Sequence, residues 1–527
     1  MEQRAPILPT VEVLTQEPAA IPREPVPSPS VFSLLDAVLY RGPATETRPL
    51  GLLDRFLSES SPAEALALWF GSLPRLQGAE LKKAITQRLA RDQARLDELL
   101  NRQVNAILHH PRFQKLEASW RGLAYLVEQV DEGENIKIRV LDLSWDQLVR
   151  DQQQAFEFDQ SQLFRKVYDT EFGTPGGEPF GVLLGDYEIH LRPDREHPHD
   201  DLAALGGIAS VAAAAFAPFV AAAHPSLLDL QSFADLERPL DLGRTFDQVE
   251  FVKWRSLRQQ EDARFVGLTM PRVLMRVPYT DDSSRADGFC FREDVSAPDR
   301  SGYLWGNAAY AFGAVLVRTF ASCGWLAAIR GVHRDSDEGG LVSGLPVHSF
   351  STERRGLAPK TSAEVQITDM LDKELGDHGF LPLCACPDTE LSAFYGSQSI
   401  QKPQIYDQLP ATINARLSAM LQYMLCVSRF AHYIKVIARD KVGSFQEAAN
   451  LEDYLRQWLM GYTNANASAG PEIKARHPLR EAKIQLREVP GRPGRYTCTI
   501  HLLPHFQLDQ MVSTVRLVTR LESGRPA

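Results

Sequence analysis

Two apolar stretches constrain this chain more than anything else in it. "LAALGGIASVAAAAFAPFVAAA" fills residues 202–223, and "LWGNAAYAFGAVLVRTFASCGWLAAI" fills residues 304–329. Each is long enough to raise the question of a membrane. The first is broken by Pro218 and the second carries Arg318 near its middle. An uncompensated arginine at bilayer depth is costly. Both stretches therefore read as helices buried on all sides, and the chain is expected not to insert in a membrane. Helices of that kind need a large body of protein around them. The chain has 527 residues, room for roughly two to four domains, and an ordinary apolar share of 44%.

Charge and cysteines narrow the classes further. A formal net charge of -10 argues against the chain as a whole being a nucleic-acid surface, while local basic patches stay open. The six cysteines are scattered with no CxxC pair, as in a reduced protein that uses thiols as small apolar side chains. "MEQRAPILPT" lacks the apolar run of a signal peptide.

Residues 1–29 are loaded with Pro, Glu and Val and read as a disordered arm. An amphipathic helix is expected next, over 30–41. Ser28 can cap it, Pro29 suits its first turn, and Gly42-Pro43 stops it. Val31, Leu34, Leu35, Val38 and Leu39 share one face. A helix this short is marginal alone, so it docks on its own domain or is presented to a partner groove.

A long helix follows, marked by Leu81, Ile85, Leu89, Leu96, Leu100, Val104 and Leu108, with Pro111 ending it. Phe113, Leu116, Trp120, Leu123 and Val127 mark another. From Asn135 the period changes: "IKIRVLDL" alternates as a half-buried strand, and "FGVLLG" and "RFVGLTM" read as buried strands. In the last third, Thr361 and Glu364 have capping-box spacing before a helix through Leu375, and "FLPLCAC" reads as a strand. "ATINARLSAMLQYMLCVSRFAHYIKVIARD" reads as one long helix, and Ser444 with Glu447 as the cap of the next. "AKIQLREV" and "RYTCTIHLL" flank the turn "PGRPG" as a hairpin. A terminal strand, 513–521, alternates Val515, Leu517, Thr519 and Leu521 with Arg516, Val518 and Arg520. It pairs within its domain or adds to a neighbour's sheet. The fold class expected is α+β (mixed α/β) and multidomain: arm 1–29, helical region 30–108, central α/β domain 109–355, and C-terminal α+β domain 356–527.

Motifs for chemistry are missing. There is no GxxxxGK[ST], no GxGxxG after a strand, no HExxH and no GxSxG. "EHPHDD" crowds histidines and acids, so the rival reading is a metal-dependent hydrolase using His197, His199 and Asp200. A solvated polar loop is the simpler account.

Long, ordered segments carry a family likeness. "KLEASWRGLAYLV", "EDARFVGLTMPRVLMRVPY", "LWGNAAYAFGAVLVRTFASCGWLAAIRG", "TDMLDKELGDHGFLPL" and "RLSAMLQYMLCVSRFAHYIKVIARDKVGSF" closely resemble the large sheath subunit of the bacterial type VI secretion system. The resemblance covers roughly residues 30 to 521. It implies a structural protein without enzymatic activity, cofactor or metal. Its C-terminal part would be like the contractile phage tail sheath, with outer domains added. It implies an obligate pair with a small sheath subunit, helical polymerisation with neighbouring protomers around an inner tube of Hcp rings, and contraction. It also implies baseplate contacts, disassembly by the AAA+ ATPase ClpV, and a place in the bacterial cytoplasm, on a baseplate attached to the inner membrane. By the same resemblance, the helix with Phe32, Ser33, Leu34, Leu35, Asp36, Val38 and Leu39 would be read by the ATPase. Ala37 stands where many relatives carry an acidic residue. Val515, Arg516, Leu517, Val518, Thr519, Arg520 and Leu521 would form the strand exchanged between protomers. An accessory paralogue of the sheath subunit is the second reading inside the family.

Overall fold

The computed structural model describes residues 11–14, 52–70, 78–131, 134–174, 176–195, 197–281, 288–295, 300–333, 336–348, 361–386, 389–441, 448–466, 468–488, 496–505 and 515–521. The helix expected over 30–41 and the cap at Ser444 and Glu447 lie outside these residues. Of the arm expected to be disordered, Val11–Leu14 forms strand β1, paired parallel to Ile138–Leu141. The alternating "VEVL" is a strand pattern in an otherwise proline-rich segment.

The chain divides into two compact units. The smaller comprises residues 15–106 and 280–292. In it, α1 (Leu52–Ser58) packs on α2 (Pro62–Phe70), and α2 on the long α3 (Gly78–Leu108). The rings of Phe56 and Trp69 lie 5.1 Å apart, and the Trp69 indole donates to Asp92 at 3.0 Å. Arg88 sits over the Phe70 ring. The Asn101 side chain holds the 288–292 segment like a peptide partner, donating to the Cys290 carbonyl and accepting from the Arg292 amide. No residue of α3 is buried.

The larger unit comprises 1–14, 107–279 and 293–527. It begins with α4 (Pro111–Glu128), β2 (Ile138–Leu141) and α5 (Trp145–Gln154). Its centre is a parallel sheet. β3 (Leu183–Ile189) is followed by α6 (Asp201–Ala215) and β4 (Phe219–Ala223), then α7 (Val252–Gln259) and β5 (Val266–Met270). β6 (Val273–Arg276) and β7 (Leu304–Gly306) form a small antiparallel pair before α8 (Ala309–Cys323). After α9 (Asp369–Asp377) comes β8 (Leu381–Pro382). The sheet order is β8-β5-β4-β3.

β4 and β5 are buried along their whole length, as strands covered on both faces must be. Alternate residues separate the two layers. Phe219, Ala221 and Ala223 of β4 join a core with Leu205, Ile208 and Ala212 of α6. Val220 joins Phe312, Val315 and Leu316 of α8 in a second core. Gly267 is needed for this packing, since a Cβ there would meet Leu421 Cδ1 at 2.5 Å.

Both apolar stretches are buried, but neither is one helix. Residues 202–223 make α6, a reversal at Phe216 (φ 52°), and β4. The Ala217 amide bonds back to the Ala212 carbonyl, so the helix end is satisfied before Pro218 begins the extended run. Residues 304–329 make β7, then α8, which ends at Gly324 (φ 76°). Arg318 does not reach solvent as a free charge; it donates to the carbonyls of Gly339 and Leu341. Among the described residues, no helix is long and apolar enough to cross a membrane.

Two further expectations are corrected. Thr361 does not open a helix: the Leu274 amide bonds to the Ser362 carbonyl and the Glu364 amide to the Arg272 carbonyl, which holds this segment extended. The true N-cap is Thr368, whose hydroxyl accepts from the Leu371 amide. The long helix over 411–440 is two, α10 (Leu409–Ser418) and α11 (Leu421–Lys441). The break is made from outside, because the Ser399 amide takes the Ala419 carbonyl and the Ser397 carbonyl takes the Leu421 amide. β8, which lies beyond residue 356, is a strand of the central sheet, parallel to β5.

The C-terminal part adds α12 (Ala448–Met460), α13 (Pro471–Arg476) and a three-stranded antiparallel sheet of β9 (Leu479–Glu488), β10 (Tyr496–Pro504) and β11 (Val515–Leu521). Ala482, Ile484 and Leu486 alternate inward from β9 and Cys498, Ile500 and Leu502 from β10. They meet Phe430 and Ile434 of α11 and Leu451, Leu455 and Leu459 of α12.

Candidate assembly surfaces

The terminal sheet has one shielded edge. At β9, the Leu479 amide donates to the Tyr462 carbonyl and the Leu479 carbonyl accepts from Asn464. The Leu486 amide is taken by the Glu452 carboxylate at 2.9 Å. Side-chain and loop partners of this kind block a further strand. The opposite edge strand is β11. It pairs antiparallel with β10 of the same chain, Tyr496 opposite Leu521 and Leu502 opposite Val515. The register places Val515, Leu517 and Thr519 across from Leu502, Ile500 and Cys498, residues of the buried row. All seven residues expected to form the exchanged strand, Val515 to Leu521, thus lie in β11. Phe32, Ser33, Leu34, Leu35, Asp36, Val38 and Leu39 lie outside the described residues.

Two apolar helix faces are left uncovered, one in each unit. On α3, Leu89, Leu96, Leu99 and Leu100 are each about half exposed. On α4, three of the five residues that mark the helix in the sequence point outward: Leu116 is 56% and Trp120 65% exposed, with Phe113 beside them. The buried face is instead Ala118, Gly122, Tyr125 and Leu126. The reason is close approach. Gly122 lies against the Tyr310 ring of α8, where a Cβ would come within 2.3 Å, so the face that carries this glycine, with Tyr125 and Leu126 beside it, is the one that packs inward.

Polar groups gather at the carboxyl end of the parallel sheet. Arg272 clamps Glu188 with two bonds of 2.6 and 2.9 Å. Burial pushes the Glu188 carboxyl up, but the Arg272 bonds outweigh it and hold the group below the usual range. Burial raises Glu364, which lies 4.0 Å from Arg272. The ring of His190 stacks on those of His197 (4.2 Å) and His224 (3.9 Å), and Asp201 accepts from the His190 amide. A second network joins Arg276 to Glu293 at 2.5 Å and to Glu117 at 2.8 Å. The sequence patterns gave no sign of either network, because their members are distant in the chain.

The three residues of the hydrolase reading are spent on separate tasks. His197 stacks on His190, His199 meets Asp146 at 2.5 Å, and Asp200 caps α6 and binds Lys253 at 2.6 Å. Among the described residues, no three His, Cys, Asp or Glu side chains converge as metal ligands.

Comparison with known proteins places this architecture. Residues 91–401 match the family model described as the EvpB/VC_A0108 tail sheath N-terminal domain. Residues 410–521 match the EvpB/VC_A0108 tail sheath gpW/gp25-like domain. The chain is 42% identical over 437 residues to the type VI secretion system sheath protein TssC1 of Pseudomonas aeruginosa, covering 82% of this chain and 86% of that protein. The two models meet between 401 and 410, just before α10, where the two-layered helical and β region of the C-terminus begins.

Proposed function

The chain belongs to the tail sheath family of the type VI secretion system, as a large sheath subunit, and from that premise we propose how it assembles and works. It pairs with a small sheath subunit. The pairs polymerise into a helical tube around a tube of Hcp rings, contract to drive that tube outward, and are then taken apart by ClpV. The observation that carries this reading is the ordered match of two sheath domains across 91–521.

The structure supports it in physical terms. An uncovered leucine row on α3 and the Phe113, Leu116, Trp120 row on α4 are the kind of surface a permanent partner covers. Full burial of one such side chain contributes roughly 1.5–3 kcal/mol, so covering even half of each row would outweigh a few lost rotamers. β11 pairs with β10 through main-chain bonds, which a neighbour's identical strand can make equally well. A strand given to the next protomer, with one received from the previous, is a heterologous contact. Repeated without closure it yields a helical filament. Contraction is then a change between two packings of the same subunits, with energy stored in the extended one. The ATPase reads the helix bearing Phe32 to Leu39.

The test is co-expression with a small sheath subunit and electron microscopy of the product. Tubules are expected; a pair that forms neither tubules nor a stable complex would overturn the proposal.

A further inference from the structure

One cavity of about 430 Å³ in the larger unit is lined by cations and by no carboxylate. Its charged walls are Arg330 and Lys474, with Gln422, Tyr423, Tyr395 and His505 beside them. Neither Arg330 nor Lys474 has an ion pair among the described residues; Arg139, Arg272, Arg276 and Arg439 are ion-paired, while Arg258 and Arg429 donate to backbone carbonyls. Burial holds the Arg330 guanidinium below its ordinary value, so the charge is kept there at a cost. The buried Nε2 of His505 also lacks a hydrogen-bond partner. A half-buried guanidinium without an acid, a lysine and an unsatisfied ring nitrogen around one void are what an anion would complete.

The cavity's position says what presents the anion. Pro478 and Pro504 line it, and they flank the paired ends of β9 and β10. The chain leaves β10 at this point on its way to β11. We infer that this cavity binds a carboxylate, presented in the sheath by an acidic side chain of an adjacent copy of this chain. Each copy carries 67 acidic against 57 basic residues, a net charge of -10 that favours contact with a cationic cavity, and the cavity adjoins the sheet end where strand exchange is proposed. Guanidinium and ammonium together would hold the carboxylate oxygens, with His505 as a further donor. The assignment of the adjacent copy rests on the sheath reading; the carboxylate preference of the cavity does not.

The experiment has two arms on the co-expressed pair. In the first, citrate is the probe, added at ionic strength matched with sodium chloride, and thermal melting is read. Citrate is expected to raise the melting temperature of the wild type by a few degrees and to leave Arg330→Gln and Lys474→Gln unmoved. An equal shift in wild type and both variants overturns the site. Lys474→Gln alone decides this arm if Arg330→Gln does not fold. In the second, tubules are dissolved by rising salt. Variant tubules are expected to dissolve at clearly lower salt than wild type. If the citrate response is lost but tubule stability is unchanged, the adjacent copy is overturned as the source and a free anion is the ligand. If wild-type tubules never form, the sheath reading fails, and the citrate arm still decides the cavity.

Discussion

His432 lies in α11 wholly enclosed, its Nε2 2.9 Å from the Ala215 carbonyl and its ring against those of Phe172 and Phe216. Burial, helped by the Arg429 and Lys435 charges, depresses its pKa to about 3. Burial likewise takes His224, beneath His190, to about 4. Both groups are therefore neutral in the folded protein where the unfolded chain, near 6.5, would bind a proton. Their stabilising effect is full above pH 6.5 and is lost as the pH falls from there through about 4 and 3. For His432 the whole loss is on the order of 5 kcal/mol. Melting temperature should thus fall steadily between pH 6.5 and 4.5. His432→Gln, which keeps a donor for Ala215 and cannot titrate, should flatten that fall; an unchanged slope would remove His432 from the account. The residue scale is also where the sequence was least informative. Nothing in the spacing of His190, His197 and His224 announces a stack, because only the return of β3 and β4 to one sheet end brings them together.

At the scale of elements, helices and strands were legible wherever local pattern and burial agree. The hairpin of β9 and β10, the strand β11 and the long α3 all lie where period and turn chemistry place them. The misreadings share one cause, a backbone partner supplied from elsewhere. Ser397 and Ser399 split α10 from α11, and the strand-like bonds of 362–364 with β6 hold that segment out of a helix. Two predictions belong here. Removing residues from Ser513 onward deletes β11 and leaves β10 with a bare edge; subunit pairs should persist by size-exclusion chromatography while tubules vanish from micrographs. Normal tubules after that deletion would sink strand exchange. Leu34→Asp puts a charge in the apolar face of the proposed ATPase-recognition helix. ClpV capture in a pull-down should drop at least tenfold with tubules intact, whereas lost assembly with ClpV capture retained would assign the helix to packing instead.

At the scale of the whole molecule, the exposed rows on α3 and α4 and the sheet edge at β11 make the isolated chain an incomplete object. Expressed alone, the chain is expected to aggregate or to remain low in yield, and the small subunit should rescue it as tubules. A monodisperse chain obtained without its partner would count against an obligate pair.

By itself the sequence determined what must be inside. The apolar stretches at 202–223 and 304–329 demanded burial, and they are the heart of the two cores around the parallel sheet. It also determined the alternation that builds the terminal sheet, and its long segments carried the family. Only the tertiary structure decided how burial was achieved: as helix, reversal and strand rather than one helix, because the Phe216 turn lets the same apolar run cover the sheet and then enter it. It decided which face of α4 is core, since the face that carries Gly122 is the one that lies against the Tyr310 ring. And it decided where charges meet, because ion pairs such as Arg276 with Glu117 and Glu293 depend on distance in space, which periodicity along a chain does not encode.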